Sequence, residues 1–309
     1  MDLFKEIING NKLALSRAIT LLESTKIDDQ IKAQKIIKKC IPLSGKSIRI
    51  GITGIPGVGK STFIESLGNI LTTKNKKVAV LAIDPSSEKS KGSILGDKSR
   101  MHKLSIDKNA FIRPSPNNSR LGGIAYKTKE SILLCEAAGY DIIIIETVGV
   151  GQSETSIKDI VDFCILLMLT GTGDEIQGIK RGIMEIADMI IINKADGENL
   201  KKAKIACNQY KNSLQILNKN IQVKTCSALE NIGIDEAWEY INKYHIRIKK
   251  NGELKKNRIK QKIFWLHKNI LEELGKRKYE IIQKSNKLKI LEKELIENKS
   301  TIYNIIEKL

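Results

Sequence analysis

Aromatic residues are scarce in this 309-residue chain, at 5%, and there are only five prolines, five cysteines and three histidines. So few rings leave little to stack on bases, which counts against a single-stranded nucleic-acid binder. The cysteines (Cys40, Cys135, Cys164, Cys207, Cys226) are odd in number, widely spaced and form no C-x-x-C pair. That pattern argues against a disulfide framework and a zinc site and fits reduced thiols in a cytoplasmic core. His102, His245 and His267 are equally dispersed and form no ligand cluster. No apolar run approaches the ~20 residues of a membrane-crossing helix. The longest, such as Ile142–Ile145 and Cys164–Leu169, have the length of strands. The N-terminus, MDLFKEIING, lacks the basic-then-apolar order of a secretion signal. A cytoplasmic protein with no membrane partner is the expectation.

What the chain has in excess is positive charge: 53 Lys and Arg against 35 Asp and Glu, a formal +18. Much of it is C-terminal, where residues 243–309 hold 19 Lys and Arg against 8 Asp and Glu. Those lysines are spread between apolar helix positions, the pattern of a solvated helical face, so no nucleic-acid partner is expected. Hydrophobic residues at 41% suffice for a core, and the length allows one large α/β domain with helical additions.

Residues 1–45 read as helical, with Leu13, Leu15, Ala18, Ile19 and Leu22 at helical spacing, until Pro42 and Ser44–Gly45 break the pattern. From Ser47 short β-rich runs alternate with helical segments. Candidate strands are Ile48–Thr53, Val78–Ile83, Phe111–Arg113, Asp141–Glu146, Phe163–Leu169, Met189–Asn193 and Val223–Cys226. Candidate helices lie near Lys60–Thr73, Ile124–Ala138, Gly178–Ala187, Leu200–Leu217 and Asp235–Tyr244. Most strands are continuously apolar, as in a mostly parallel sheet covered by helices on both faces. From about Lys243 the strands stop, and residues 255–309 read as two or three helices. The expected organisation is a helical segment at 1–45, an α/β P-loop nucleotide-binding domain at 46–245 and a C-terminal helical segment at 246–309.

The strongest local signal is Gly54-Ile55-Pro56-Gly57-Val58-Gly59-Lys60-Ser61-Thr62. It satisfies G-x-x-x-x-G-K-[ST] between an apolar strand and an amphipathic helix, where such a phosphate loop must lie. Its backbone N–H groups and the helix N-terminus favour phosphate oxygens. Lys60 is expected at the β- and γ-phosphates, the Ser61 hydroxyl on Mg²⁺ and Thr62 at the α-phosphate. A second signal, Asn193-Lys194-Ala195-Asp196, follows a candidate strand. In a nucleotide-binding sheet N-K-x-D reads guanine, because the Asp196 carboxylate accepts from N1–H and the 2-amino group, donors that adenine lacks there. Ser227-Ala228-Leu229 fits the remaining base-contacting loop.

The third signal, Glu146-Thr147-Val148-Gly149, ends a strand. Glu146 is expected near Mg²⁺ through a water, and the Gly149 N–H at the γ-phosphate. Asp84 and Asp97 are further candidates for the metal. For Asp97 an ordinary loop role is as good a reading. Where Ras-type GTPases place a glutamine after the switch glycine this chain has Val150, and Gln152, Gln177, Lys180 and Arg181 are the substitutes. GTP with Mg²⁺, hydrolysed slowly unless a partner or a second copy orders the site, is the expected chemistry.

With these motifs the chain resembles the MeaB/ArgK/MMAA family of GTPases. The resemblance runs through ALSRAITLLES at Ala14–Ser24, GITGIPGVGKSTF at Gly51–Phe63 and AIDPSS at Ala82–Ser87. It continues through SILGDKSRM at Ser93–Met101, ETVGVGQSE at Glu146–Glu154 and GTGDEIQGIKRGIMEIAD at Gly171–Asp188. It implies a GTP-driven chaperone that gates adenosylcobalamin loading onto methylmalonyl-CoA mutase or a related acyl-CoA mutase and protects that enzyme. A homodimer built partly from the C-terminal helices is implied too, as is a possible link to a cobalamin adenosyltransferase. Asp174, Gln177 and Lys180 carry over as relay or hydrolysis candidates. The family has also been labelled an ATPase or kinase serving transport of basic amino acids, which the N-K-A-D loop disfavours.

Overall fold

The computed structural model describes residues 2–84, 101–116, 121–147, 157–170, 186–216 and 221–309. Seven runs rich in isoleucine and valine form strands: Ile48–Gly54 (β1), Val78–Asp84 (β2), Ala110–Pro116 (β3), Ile142–Glu146 (β4), Phe163–Met168 (β5), Met189–Ile192 (β6) and Gln222–Thr225 (β7). All neighbouring strands pair in parallel, in the order β3-β2-β4-β1-β5-β6-β7. Strands β4, β5 and β6 are buried at every position and β1 at all but its first, as both faces are covered.

The chain divides into two units. One comprises residues 48–119 and 142–248 and carries the sheet; the other comprises residues 1–47, 120–141 and 249–309 and is helical. In the sheet unit, helix α4 (Lys60–Thr73) leaves the loop after β1, and its Phe63, Ile64, Leu67 and Leu71 are fully buried in the core with Ile50, Ile52, Ile165 and Ile191. Each such side chain contributes about 1.5–3 kcal/mol when removed from water. Short helix α5 (His102–Ile106) packs Leu104 against Gly68 of α4. Helix α7 (Asn199–Ile216) and helix α8, whose span is Ile234–Lys250, follow β6 and β7.

The helical unit contains α1 (Leu3–Ile8), α2 (Lys12–Glu23), α3 (Ile27–Cys40) and α6 (Leu121–Ala137). It also contains α9 (Glu253–Gln283), α10 (Asn286–Ile296) and α11 (Ile302–Glu307). The sequence reading places this strand at Phe111–Arg113, whereas it runs on through Pro114 and Pro116. The strand continues because β3 is an edge strand, where a missing N–H is tolerated. The expected helix near Gly178–Ala187 lies mostly outside the described residues.

Candidate functional site

Parallel strands put their C-terminal ends on one edge, and β1 lies at the switch point between β4 and β5. Glu146 closes β4 level with Ile52 of β1 and Ala82 of β2. The chain leaves β1 at Gly54, turns with a Val58 N–H to Ile55 O bond of 3.3 Å, and enters α4 at Gly59. Gly59 has φ +92°, and a Cβ there would lie 2.7 Å from Asn193 Nδ2, so both backbone shape and space require glycine. Val58 turns its side chain into the core while Pro56 and Gly57 stay exposed, which anchors the loop and leaves its crest open.

The Lys60 ammonium lies inside this loop, donating to Gly54 O at 2.8 Å and Ile55 O at 3.1 Å, and the residue is only 8% exposed. A buried cation surrounded by backbone dipoles is a site for anionic oxygen. At the second residue of α4, Ser61 Oγ donates to Glu146 Oε1 at 3.0 Å. A hydroxyl beside a buried carboxylate is a hard-oxygen donor pair of the kind Mg²⁺ takes alongside phosphate, so these residues fit that ion. Thr147 Oγ1 donates to Thr53 Oγ1 at 2.9 Å and its N–H to Ile52 O at 3.1 Å, fixing the end of β4 on β1.

The N-K-A-D loop follows β6 and is tied to the phosphate loop. Asn193, 1% exposed, donates from Nδ2 to Val58 O at 2.8 Å and accepts at Oδ1 from Ala228 N–H at 3.2 Å and the Cys226 thiol at 3.3 Å. Its side chain thus joins three loops. Lys194 adopts φ +58°, the left-handed turn that brings Asp196 round. Asp196 Oδ2 accepts from Ser227 Oγ at 2.5 Å, and the Ala195 N–H donates to Cys226 O at 2.9 Å. Ser227 and Ala228 are buried; Leu229 is 79% exposed. Burial, with the Asp196 charge as second cause, pushes the Cys226 thiol up to about 12, so it is a neutral packing group behind the loop.

The structure therefore brings Gly54–Thr62, Glu146, Asn193–Asp196 and Ser227–Leu229 together on one edge of one unit. Asp84 ends β2 on that same edge, with its side chain outside the described atoms. Asp97, Gly149, Asp174, Gln177 and Lys180 lie outside the described residues, as do Val150, Gln152 and Arg181. Among the described residues no three His, Cys, Asp or Glu side chains converge on a metal position. Sequence reasoning gave no role to the hydroxyls of Thr53, Ser66 and Thr147, of which Ser66 holds the Ser227–Leu229 loop and the two threonines join the ends of β1 and β4.

A family model described as "Methylmalonyl Co-A mutase-associated GTPase MeaB" matches residues 15–283. The chain is 45% identical over 275 residues to the Escherichia coli protein named GTPase ArgK, covering 87% of this chain and 83% of that one. It is 42% identical over 289 residues to the mouse mitochondrial protein named methylmalonic aciduria type A homolog, covering 87% of this chain and 70% of that one. Among solved structures, one titled as a LAO/AO transport system kinase superposes with a TM-score of 0.76 at 35% identity, covering 99% of this chain and 95% of the other.

Proposed function

The chain belongs to the MeaB family of methylmalonyl-CoA mutase-associated GTPases, and from that premise we propose that it hydrolyses GTP with Mg²⁺ as a nucleotide-gated chaperone of an adenosylcobalamin-dependent acyl-CoA mutase. The observation that carries the nucleotide half is one edge holding the Lys60 ammonium inside a glycine loop, a Ser61–Glu146 oxygen pair, and the Asp196 carboxylate braced by Ser227. Lys60 and the loop N–H groups bind the β- and γ-phosphates and offset the charge that builds there as the bond to the γ-phosphorus breaks. Ser61, with Glu146 through a water, would hold Mg²⁺, which supplies neutralisation of the same oxygens. Asp84 and Asp97 are proposed as further metal contacts.

Asp196 selects the purine. Its carboxylate pairs with the guanine N1–H and 2-amino group, and would be left facing no donor against adenine. Gly149 is proposed to sense the γ-phosphate. Gln177 and Lys180 are proposed to serve hydrolysis, in a segment that relays nucleotide state to the partner. The mutase half rests on the family and on the mouse relative's name. A homodimer, contact with a cobalamin adenosyltransferase and a cytoplasmic location belong to the same proposal.

Two measurements test it. Calorimetry with Mg²⁺ is expected to show guanine nucleotides preferred over adenine nucleotides by at least 100-fold; equal affinities would instead fit the transport-kinase title of the structural relative. A pull-down with GDP-loaded and GTP-analogue-loaded protein is expected to retain a cobalamin-dependent mutase in one state more than the other. Equal retention, or none, would remove the gating role.

A further inference from the structure

Ser66 lies inside α4, about one turn after the phosphate loop, and is 7% exposed. A serine there usually bonds back to the carbonyl four residues before it or faces water, and it forms helix less readily than alanine. Here its Oγ donates instead to Ala228 O at 2.6 Å, across 162 residues of sequence. The peptide groups of Ala228 are thereby held on both sides: its N–H donates to Asn193 Oδ1 and its C=O accepts from Ser66. Ser227, directly before it, braces Asp196. The other bonds of this loop among the described residues run to the N-K-A-D loop, to Ile232 or to Glu230, whereas the Ser66 bond runs to the helix that begins at the phosphate loop.

We propose that Ser66 is a positioning residue for guanine selection, fixing the Ser227–Leu229 loop, and through Ser227 the Asp196 carboxylate, relative to the phosphate helix. This rests on the reading of Asp196 as the base-reading group. Ser66 touches neither base nor phosphate, so its contribution is to hold donors and acceptors in register for a base already tethered through its phosphates. Loss of the hydroxyl leaves the buried Ala228 carbonyl without this donor and lets the loop move away from the base edge.

The test compares wild type, Ser66→Ala, Ser66→Cys and Ser66→Thr, each below its melting temperature, by calorimetry with GDP, IDP and inorganic pyrophosphate. IDP lacks the 2-amino group, and pyrophosphate lacks the base. Ser66→Ala is expected to weaken GDP about tenfold, or about 1.4 kcal/mol, with the GDP-over-IDP preference shrinking and pyrophosphate affinity unchanged. Ser66→Thr, which keeps the hydroxyl, is expected to restore both. Ser66→Cys, of similar size but a weak donor, is expected to fall between, and it decides the matter if the alanine variant does not fold. GDP affinity within twofold of wild type, or an equal fall for pyrophosphate, would overturn the proposal. A wild type without guanine preference would instead overturn the reading of Asp196.

Discussion

Asp196 is the residue at which a change of one atom type has the sharpest consequence. Asn in its place keeps an oxygen for Ser227 but turns an N–H toward the guanine 2-amino group, setting donor against donor. Asp196→Asn is expected to weaken GTP roughly 100-fold or more and to favour XTP, whose 2-keto oxygen accepts that N–H. A competition titration of the two nucleotides measures it, and unchanged GTP preference would show that Asp196 does not read the base. Gly59 makes a second case, because its φ of +92° and the 2.7 Å approach of Asn193 Nδ2 act together. Gly59→Ala adds left-handed strain of about 1–2 kcal/mol and displaces the amide that ties Val58 to Ala228. GDP affinity by fluorescence titration is expected to fall about tenfold or more. Both residues were legible in the sequence, since each belongs to a short motif whose chemistry is local. Thr53, Ser66 and Thr147 were not, because a buried hydroxyl has no periodicity to betray a partner 94 or 162 residues away.

Among the elements, α6 and α9 of the helical unit show what spacing alone leaves hidden. Glu136, near the end of α6 and with no side-chain exposure, accepts from Gly45 N–H at 2.8 Å and Ser47 Oγ at 2.6 Å. Arg258 of α9 donates at 2.7 Å to both Gly45 O and Ser47 O, with its Nη1 4.0 Å from the same carboxylate. The knot fixes the segment that leads into β1. Arg258→Ala strips two carbonyls of donors and a buried carboxylate of its counter-charge, so urea unfolding is expected to show a loss of about 2–4 kcal/mol. A loss under about 0.5 kcal/mol would mean that the knot contributes nothing. Arg258→Lys is expected to recover part of it, since one ammonium cannot reproduce the planar fork. Further along α9, His267 Nδ1 lies 2.8 Å from Tyr279 Oη, whereas twelve residues of straight helix would separate them by about 18 Å. The chain folds back at Gly275, with φ 78° and ψ 163°, a region held almost only by glycine. Gly275→Ala is expected to cost about 1–3 kcal/mol by the same assay. Sequence reasoning found helices here but not this break, because the apolar spacing runs on through it. It found β3 only as Phe111–Arg113, and the strand runs on through Pro114 and Pro116 because it lies at the sheet edge.

For the whole molecule, the two units can be followed separately through thiols that the fold makes inert. All five cysteines are buried. Burial pushes Cys40 up to about 11 and Cys164 and Cys226 up to about 12, and raises Cys135 further. The thiolate is the species that attacks a disulfide reagent, and burial denies the reagent access to Cys207 as to the others, so the folded protein at pH 8 is expected to react at none of the five on the timescale of a free thiol, and at all five once unfolded. Cys40 and Cys135 belong to the helical unit; Cys164, Cys207 and Cys226 belong to the unit with the nucleotide edge. A ligand that binds only the folded state stabilises it by about 2.7 kcal/mol at 100 times its dissociation constant. GDP with Mg²⁺ is therefore expected to move the urea midpoints for Cys164, Cys207 and Cys226 upward by that energy, read by mass spectrometry of labelled peptides. ADP at the same concentration is expected to move them little, because the base loop and the phosphate loop share one anchor in Asn193 and reward only a ligand that fits both. If GDP and ADP shifted the three thiols equally, the phosphate loop alone would account for binding. Whether Cys40 and Cys135 follow the other three then measures how far nucleotide binding in one unit is felt in the other.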